Sequence, residues 1–485
     1  MKDDAVSSRA VALARMDGPA GYPPPEAAPY GPDAPLPEFP GLAPAAAENR
    51  VFPLVREALR GLGLDAARFG TPDWNPIGEL VPSGARIVVK PNWVLHRNMG
   101  PGGMDCMITH PSVLRAVLEY VFLAKPGHVT LGDAPLQGCD FARMLDFAGM
   151  REVVRHFRDR GLPLEVKDFR RTVTTEDAAG VKHVAEAVRG EEGYVLVNLG
   201  ADSFLEPISR DWKRFRVTVY DPRKMRRHHR PGFHRFLLAK DVFEADLVVN
   251  CPKLKTHKKA GLTCCLKNLI GINGNKEYLP HHRKGARDAG AGGDSHPERS
   301  VLLDVLETAL DFINRHRDRP RFYDFAERAI YHFEGRYRRK VPGAQMEGNW
   351  HGNDTIWRTC LDLNRALLYA DAEGTMHDTP QRREISIVDA IVAGQGEGPL
   401  APLPLATGAV FAARNPAAGD WLAARLLRFD PAKIALTAHA ADAVRWPVAL
   451  ARPDLSGTDF AAFPAARPAE GWVGAVEEDG KDGAE

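Results

Sequence analysis

Four short runs of apolar, mostly β-branched residues constrain this chain most: Arg86–Lys90 (RIVVK), His128–Leu131 (HVTL), Tyr194–Asn198 (YVLVN) and Asp246–Cys251 (DLVVNC). None alternates apolar with polar, as a strand with one wet face would, so each reads as a strand covered on both sides. Helical patterns fill much of the space between them. Asn49–Leu62 puts Val51, Leu54, Val55, Ala58, Leu59 and Leu62 on one face. Pro111–Ala124 opens behind Thr109-His110 with proline in its first turn, and Asp140–Arg160 is a further helix. Leu164–Val166 adds a strand, and the alternation returns with Ile385–Val392, Gly408–Ala413 and a helix over Pro416–Arg428. Strands alternating with helices predict an α/β fold with a mostly parallel central sheet flanked by helices.

The stretch 277–384 breaks that rhythm. A loop rich in His, Arg and Gly leads into three helical patterns, Glu298–His316, Arg321–Arg339 and Thr355–Leu368, which predict an inserted helical subdomain. Five parts follow from this reading. Residues 1–85 hold a strand at Val11–Ala14, a Pro-rich surface loop over 18–47 and a helix. Residues 86–276 form the first α/β part, 277–384 the insertion, 385–431 the second α/β part, and 432–485 an irregular tail ending in a disordered AVEEDGKDGAE.

Composition narrows the function classes only by exclusion. The formal net charge of +1 selects neither nucleic acid nor membrane. Val117–Ala124, the longest near-apolar run, contains Glu119 and is far short of the roughly 20 residues that cross a bilayer. The six cysteines form no C-x-x-C pair, and the first residues carry no signal-like apolar core, so the expectation is a cytoplasmic protein with free thiols and no iron–sulphur cluster of its own.

Charge is informative in its distribution. From Pro222 to Lys276 there are thirteen Lys and Arg against Asp241, Glu244 and Asp246, and between Leu247 and Lys276 there are six lysines and no acid. Lys253, Lys255 and His257 follow the Asp246–Cys251 strand at alternate positions, so an extended chain would point all three to one side. A helix over Gly261–Ile270, opened by Thr263–Asn268, would add free backbone N–H groups to an anion site. Lysines after a strand also fit an ordinary solvated loop. Lys90-Pro91-Asn92, His110, Asp133 and Asp389 stand at or beyond other strand ends, the edge where open parallel sheets bind ligands.

Other motifs are weaker. Gly394–Pro399 follows a strand, but Pro399, Pro402 and Pro404 forbid the helix a dinucleotide loop requires, leaving a tight loop with close backbone approach. No G-x-x-x-x-G-K-[ST] loop occurs. His228-His229 and His281-His282 lack spaced carboxylates. Asn353 or Asp354 reads as a helix cap, and Asp420 as either a site residue or a first-turn acid. The basic tract Arg223–Arg230 has no interleaved aromatics, so it reads as a flexible basic loop and argues against nucleic acid.

VVKPNWV (Val88–Val94), THPSVLRAVLEYV, VTLGDAP, ADLVVNCPKLKTH (Ala245–His257), CLKNLIG (Cys265–Gly271), VDAIVAGQGEGP and GAVFAARNPAAGDWLAARLLRFDP follow in that order, and together resemble the domain-of-unknown-function 362 family. The resemblance implies that Lys90, Asn92, His110, Asp133, Lys253, Lys255, His257, Lys267 and Asn268 are family-pattern positions. Some members of that family carry a ferredoxin-like module, whose cysteine run is missing here.

The expected function is an enzyme acting on a small phosphorylated or carboxylated substrate. Lys255, His257 and Asp133 are the catalytic candidates; Lys90, Asn92, His110, Lys253, Lys267 and Asn268 are the substrate-binding ones. Asp133 and His110 could form a second acid/base pair or, with Asp389, hold a divalent metal. The alternative is a non-catalytic ligand-binding or redox-partner protein, with Cys264 and Cys265 sharing a cluster with a partner.

Overall fold

The computed structural model describes residues 6–176, 182–186, 190–217, 220–287, 292–317, 319–341 and 344–478. A sheet of nine strands runs through the chain: β1 (Val11–Arg15), β2 (Arg86–Pro91), β3 (His128–Asp133), β4 (Leu164–Asp168), β5 (Leu247–Cys251), β6 (Lys253–His257), β7 (Gly261–Thr263), β8 (Arg383–Glu397) and β9 (Ala401–Ala413). Their order is β1-β9-β8-β5-β2-β3-β4. From β8 to β4 every neighbouring pair is parallel, while β9 runs antiparallel to both β8 and β1.

The continuous apolar runs are explained by what covers them. Ile87, Val89, Leu247, Val249, Ile385 and Ile387 face a core packed with α1 (Val51–Gly61), α2 (Pro111–Leu123) and α3 (Met150–Asp159). Val88 and Val248 face the opposite side, toward Leu363, Leu367 and Leu368. Successive residues of a strand point to opposite faces, and here both faces are dry.

β8 is long enough to serve two strands in succession. Its first half pairs with β5; from Asp389 onward it pairs with β6 across a bulge, and the Asp389 amide donates to the Pro252 carbonyl where the partner changes (2.9 Å). Lys253–His257 is therefore extended, as the alternate spacing requires. It is not a solvated loop, because Lys253 and Lys255 have no exposed surface. The helix expected over Gly261–Ile270 is shorter: Gly261–Thr263 is strand β7 against β6, followed by a single turn, α4 (Cys265–Asn268), and a 3-10 segment.

Several other expectations change in detail. Tyr194–Asn198 pairs with Phe233–Ala239 in a separate three-stranded sheet. The Asp140–Arg160 helix is broken at Ala148 and Gly149, both at positive φ, which separates Phe141–Leu145 from α3. The strands at Ile385 and Gly408 extend into a hairpin that absorbs Gly394 and Gly396. The helical excursion narrows to α5 (Val301–Asn314) and α6 (Pro320–Lys340), whereas α7 (Ile356–Tyr369) is buried along its length against the sheet. Asn353 Oδ1 accepts from the Thr355 and Ile356 amides, so Asn353 is the cap.

The 18–47 segment is irregular, yet it buries Tyr30 and Phe39 in the core. The basic tract is not a loop: Pro222–His228 is a helix in which Arg223 pairs with Asp221, Lys224 pairs with Glu277, and His228 stacks on Tyr278. Near the C-terminus Trp472 and Val476 are packed into the core, which shortens the expected disordered tail, and residues 479–485 lie outside the described residues. Among the described residues no helix is long and apolar enough to cross a membrane.

Candidate functional site

The C-terminal ends of β2, β3 and β5 bring the expected residues together in two ion-paired groups. In the first, Lys90 Nζ lies 2.8 Å from Asp133 Oδ1 and donates to the Pro91 carbonyl (2.7 Å) and Asn268 Oδ1 (3.1 Å). Asp133 also accepts from the Trp93 and Ala134 amides (2.6 and 2.8 Å). Burial pushes the Asp133 carboxyl up and the Lys90 ammonium down, and each relieves the other. A Cβ on Gly271 would overlap both Asp133 Oδ1 and Lys90 Nζ, which explains the glycine closing CLKNLIG.

In the second group Lys253 Nζ lies 3.1 Å from Asp389 Oδ2 and donates to the Tyr22 hydroxyl. Tyr22 donates to Asp389 Oδ1 (2.6 Å), accepts from the Val392 amide and stacks on His110 (ring centroids 3.9 Å apart). The His110 amide reaches Asp389 Oδ2 (2.9 Å), while its ring Nδ1 contacts Ser112 and caps α2. Tyr22 was invisible in the sequence, because nothing in a Pro-rich segment marks one tyrosine as a site residue.

This geometry corrects the metal and acid/base readings of Asp133, His110 and Asp389. Each aspartate is matched by its own lysine, and the His110 ring is committed to Tyr22 and Ser112. Among the described residues the three do not gather their ligand atoms around one point.

Between the two pairs the asparagines form a relay. Asn92 Oδ1 accepts from Lys255 Nζ (2.7 Å), Asn92 Nδ2 donates to Asn268 Oδ1 (2.9 Å), and Asn268 Nδ2 donates to Asn250 Oδ1 (2.7 Å). Lys255 also donates to the Met107 carbonyl. No carboxylate pairs with it among the described residues, and burial, then the charge of Lys253, pushes its ammonium well below the usual lysine range.

Beyond Lys255 the basic groups form no ion pair among the described residues, although Glu347 and Asp294 ease Lys259 and Asp133 eases Lys276. Lys267 is more than nine-tenths buried, and among the described residues its ammonium has no hydrogen-bond or ion-pair partner. His257 is buried and pushed well below the ordinary histidine range, first by burial and then by Lys267, His281 and Lys255. Its Nδ1 accepts from the Lys259 and Ala260 amides (3.0 and 3.2 Å), which places the proton of the neutral ring on Nε2. Lys259 and His281, both partly exposed, feel the charge of Lys267 as well. Burial, more than any neighbour, lowers Lys259 to about 8 and Lys276 to about 7. The sequence pointed to Lys267 and His257; it gave no reason to add Lys259, Lys276 or His281.

The helix start assigned to an anion is already occupied by this chain. Asp420 sits at the head of the single turn α4, with the Leu266 amide 3.4 Å from its Oδ1, and burial raises its carboxyl to about 7. It is a site-facing residue, not a solvated first-turn acid. Cys264 and Cys265 stand beside it, fully buried with their sulphurs 3.6 Å apart, out of reach of a cluster shared with a partner.

An α/β chain whose parallel strands end in buried lysines and asparagines defines a class of protein built around a polar sheet edge. The chain belongs to the family described as Domain of unknown function (DUF362), which it matches over residues 87–199 and 194–425. It is similar to a thylakoid-associated protein of Synechocystis sp., 32% identical over 85 residues, or 18% of this chain and 26% of that protein. A crystal structure of a protein from Thermotoga maritima is similar at a TM-score of 0.31 and 10% identity, covering 72% of this chain and 53% of that one. The chain thus spans about a quarter of the first relative and about half of the second.

Proposed function

We propose that this protein binds a small phosphorylated or carboxylated substrate at the basic cluster of Lys255, His257 and Lys267, with Lys259 and His281 at its rim, and acts on it as a cytoplasmic enzyme. One observation carries the reading: Lys267 is more than nine-tenths buried, and its ammonium has no hydrogen-bond or ion-pair partner among the described residues. An isolated charge in a protein interior is costly, and the usual relief is a neutral amine or an ion of opposite sign. The charge of Lys267 depresses the protonation of Lys255, His257, Lys259 and His281, so an anion beside Lys267 would relieve all four.

The roles divide by geometry. Lys267 and Lys255 would hold the anion. His257, with its proton fixed on Nε2, would donate to a developing charge on the substrate. Asn92 and Asn268 orient Lys255, and the pairs Lys90–Asp133 and Lys253–Asp389 fix the floor on which the cluster stands, so Asp133 acts as a positioning residue. Residence in a reducing compartment is supported by six free, buried cysteines.

Titration calorimetry with inorganic phosphate tests the reading. The wild-type chain should bind, Lys267→Met should weaken binding by roughly tenfold or more, and His257→Gln should bind with a smaller loss. Equal phosphate affinity in wild type and Lys267→Met would place the site elsewhere.

A further inference from the structure

A second set of ligating side chains lies away from the basic cluster, where the loop after His281 meets α5. His296 Nε2 is 3.7 Å from Asp304 Oδ1 and 4.0 Å from Glu307 Oε2, and the three donor atoms all lie within 4.8 Å of one another. Asp304 and Glu307 are three residues apart on α5 and so share one helix face. His296 is brought across that face by a bridge to Ala286, and Glu307 Oε2 also accepts from the Gly285 amide (3.0 Å).

The orientation of the imidazole is the telling feature. His296 Nδ1 is 2.7 Å from the Glu298 carbonyl, which can only accept, so Nδ1 carries a proton and Nε2 is the ring nitrogen turned toward the two carboxylates and available as a ligand. His296 is 1% exposed, yet among the described residues Nε2 has no hydrogen-bond partner, and neither has Glu307 Oε1. Gaps of 3.7 and 4.0 Å are too long for hydrogen bonds. They suit a cation held by bonds of about 2.0–2.2 Å to each donor. A backbone carbonyl fixing the far nitrogen is the common support of a metal-bound histidine. Lys284 donates to Thr308 and Asp311, and its charge also eases Glu307 without a hydrogen bond to it among the described residues.

We infer that His296, Asp304 and Glu307 form a binding site for a divalent transition-metal ion such as Zn2+ or Mn2+. One imidazole and two carboxylates match the preference of these ions over Mg2+, which favours oxygen ligands and retained water, and over soft ions that favour thiolates. The two carboxylates balance the charge of the ion. The Asp304 side chain is half exposed, so an ion would have a route in from solvent. Because His296 lies on the loop that also carries His281, the bound ion would tie the rim of the basic cluster to α5.

The test uses the full chain and Co2+ as a spectroscopic probe, with Zn2+ in competition. The expected result is one Co2+ per chain with weak visible bands, no sulphur-to-cobalt charge transfer, and displacement by Zn2+. Glu307→Gln and His296→Gln should each weaken binding on the order of tenfold or more. Asp304→Asn changes an exposed side chain, so it leaves the fold intact and should weaken binding as well. Wild-type affinity in Asp304→Asn and Glu307→Gln overturns the site, as does a wild-type chain that binds no Co2+. A thiolate charge-transfer band overturns it in favour of Cys264, Cys265 and Asp420.

Discussion

Lys253 and Lys267 are both buried lysines of one short segment, and their surroundings could hardly differ more. Lys253 lies against Asp389 and the Tyr22 hydroxyl; Lys267 has no hydrogen-bond or ion-pair partner among the described residues, and its charge bears on His257, Lys255, Lys259 and His281. On the side of the sheet edge that includes Lys90, each ammonium has a carboxylate supplied by another strand. On the side that includes His257, no ammonium forms an ion pair among the described residues, and Glu347 and Asp294 ease only Lys259. A fold can keep a paired buried charge for its own architecture. An unpaired set is hard to explain by architecture, since a buried charge without compensation only destabilises. The paired half is thus the frame, and the unpaired half is where a ligand's charge has a purpose.

The comparison breaks first if the frame is not a frame. Asp389→Asn strands the Lys253 ammonium and should cost about 3–5 kcal/mol in denaturant unfolding; a loss under ~1 kcal/mol would remove the distinction between the halves. Gly271→Ala forces a methyl into the Lys90–Asp133 pair and should destabilise by roughly 1–3 kcal/mol. Lys267→Met, by contrast, should leave the unliganded protein within ~1 kcal/mol of wild type or make it more stable, because no native partner is orphaned. A large loss there would make Lys267 part of the frame.

The smallest effect is a fraction of a proton. With Lys259 near 8 and Lys276 near 7, both are partly neutral at pH 8, and a bound anion restores their charge. Phosphate binding should therefore take up protons at pH 8 and fewer at pH 6, where both are already charged, as read from calorimetry in buffers of different ionisation enthalpy. The sign in the unliganded protein follows from the same depressed values. Between about pH 7 and 10 the folded chain binds fewer protons than the unfolded one, so these groups add stability as pH rises, and phosphate should flatten that rise. Net proton release on binding at pH 8, where phosphate is already mostly the dianion, would contradict it.

The sheet was legible because continuous β-branched runs such as RIVVK and DLVVNC have few structural explanations. Residues at strand ends were legible for the same reason, since the end of a parallel strand fixes where Lys90 and Asp133 must be. Partners were not. Which carboxylate meets which lysine depends on strand order and register, and nothing near Lys253 in the sequence points to Asp389. The run Gly261–Ile270 was misjudged because a short apolar stretch buried on all sides fits a strand or a helix equally well. Asp420 was ambiguous, as only the position of α4 decides whether a first-turn acid faces inward or outward. Tyr22 had no local signal at all.

The Tyr22–Asp389 hydrogen bond joins residues 367 positions apart, and β1 is paired to the end of β9. On a translating ribosome, the first part of the chain must therefore wait for most of the rest before Lys253 can be covered. Until Asp389 emerges, that lysine cannot be sealed in the interior without a counter-charge, so the central sheet has no stable half-made form. Fragments cut before β8 should be cleared by proteolysis before they accumulate as folded pieces.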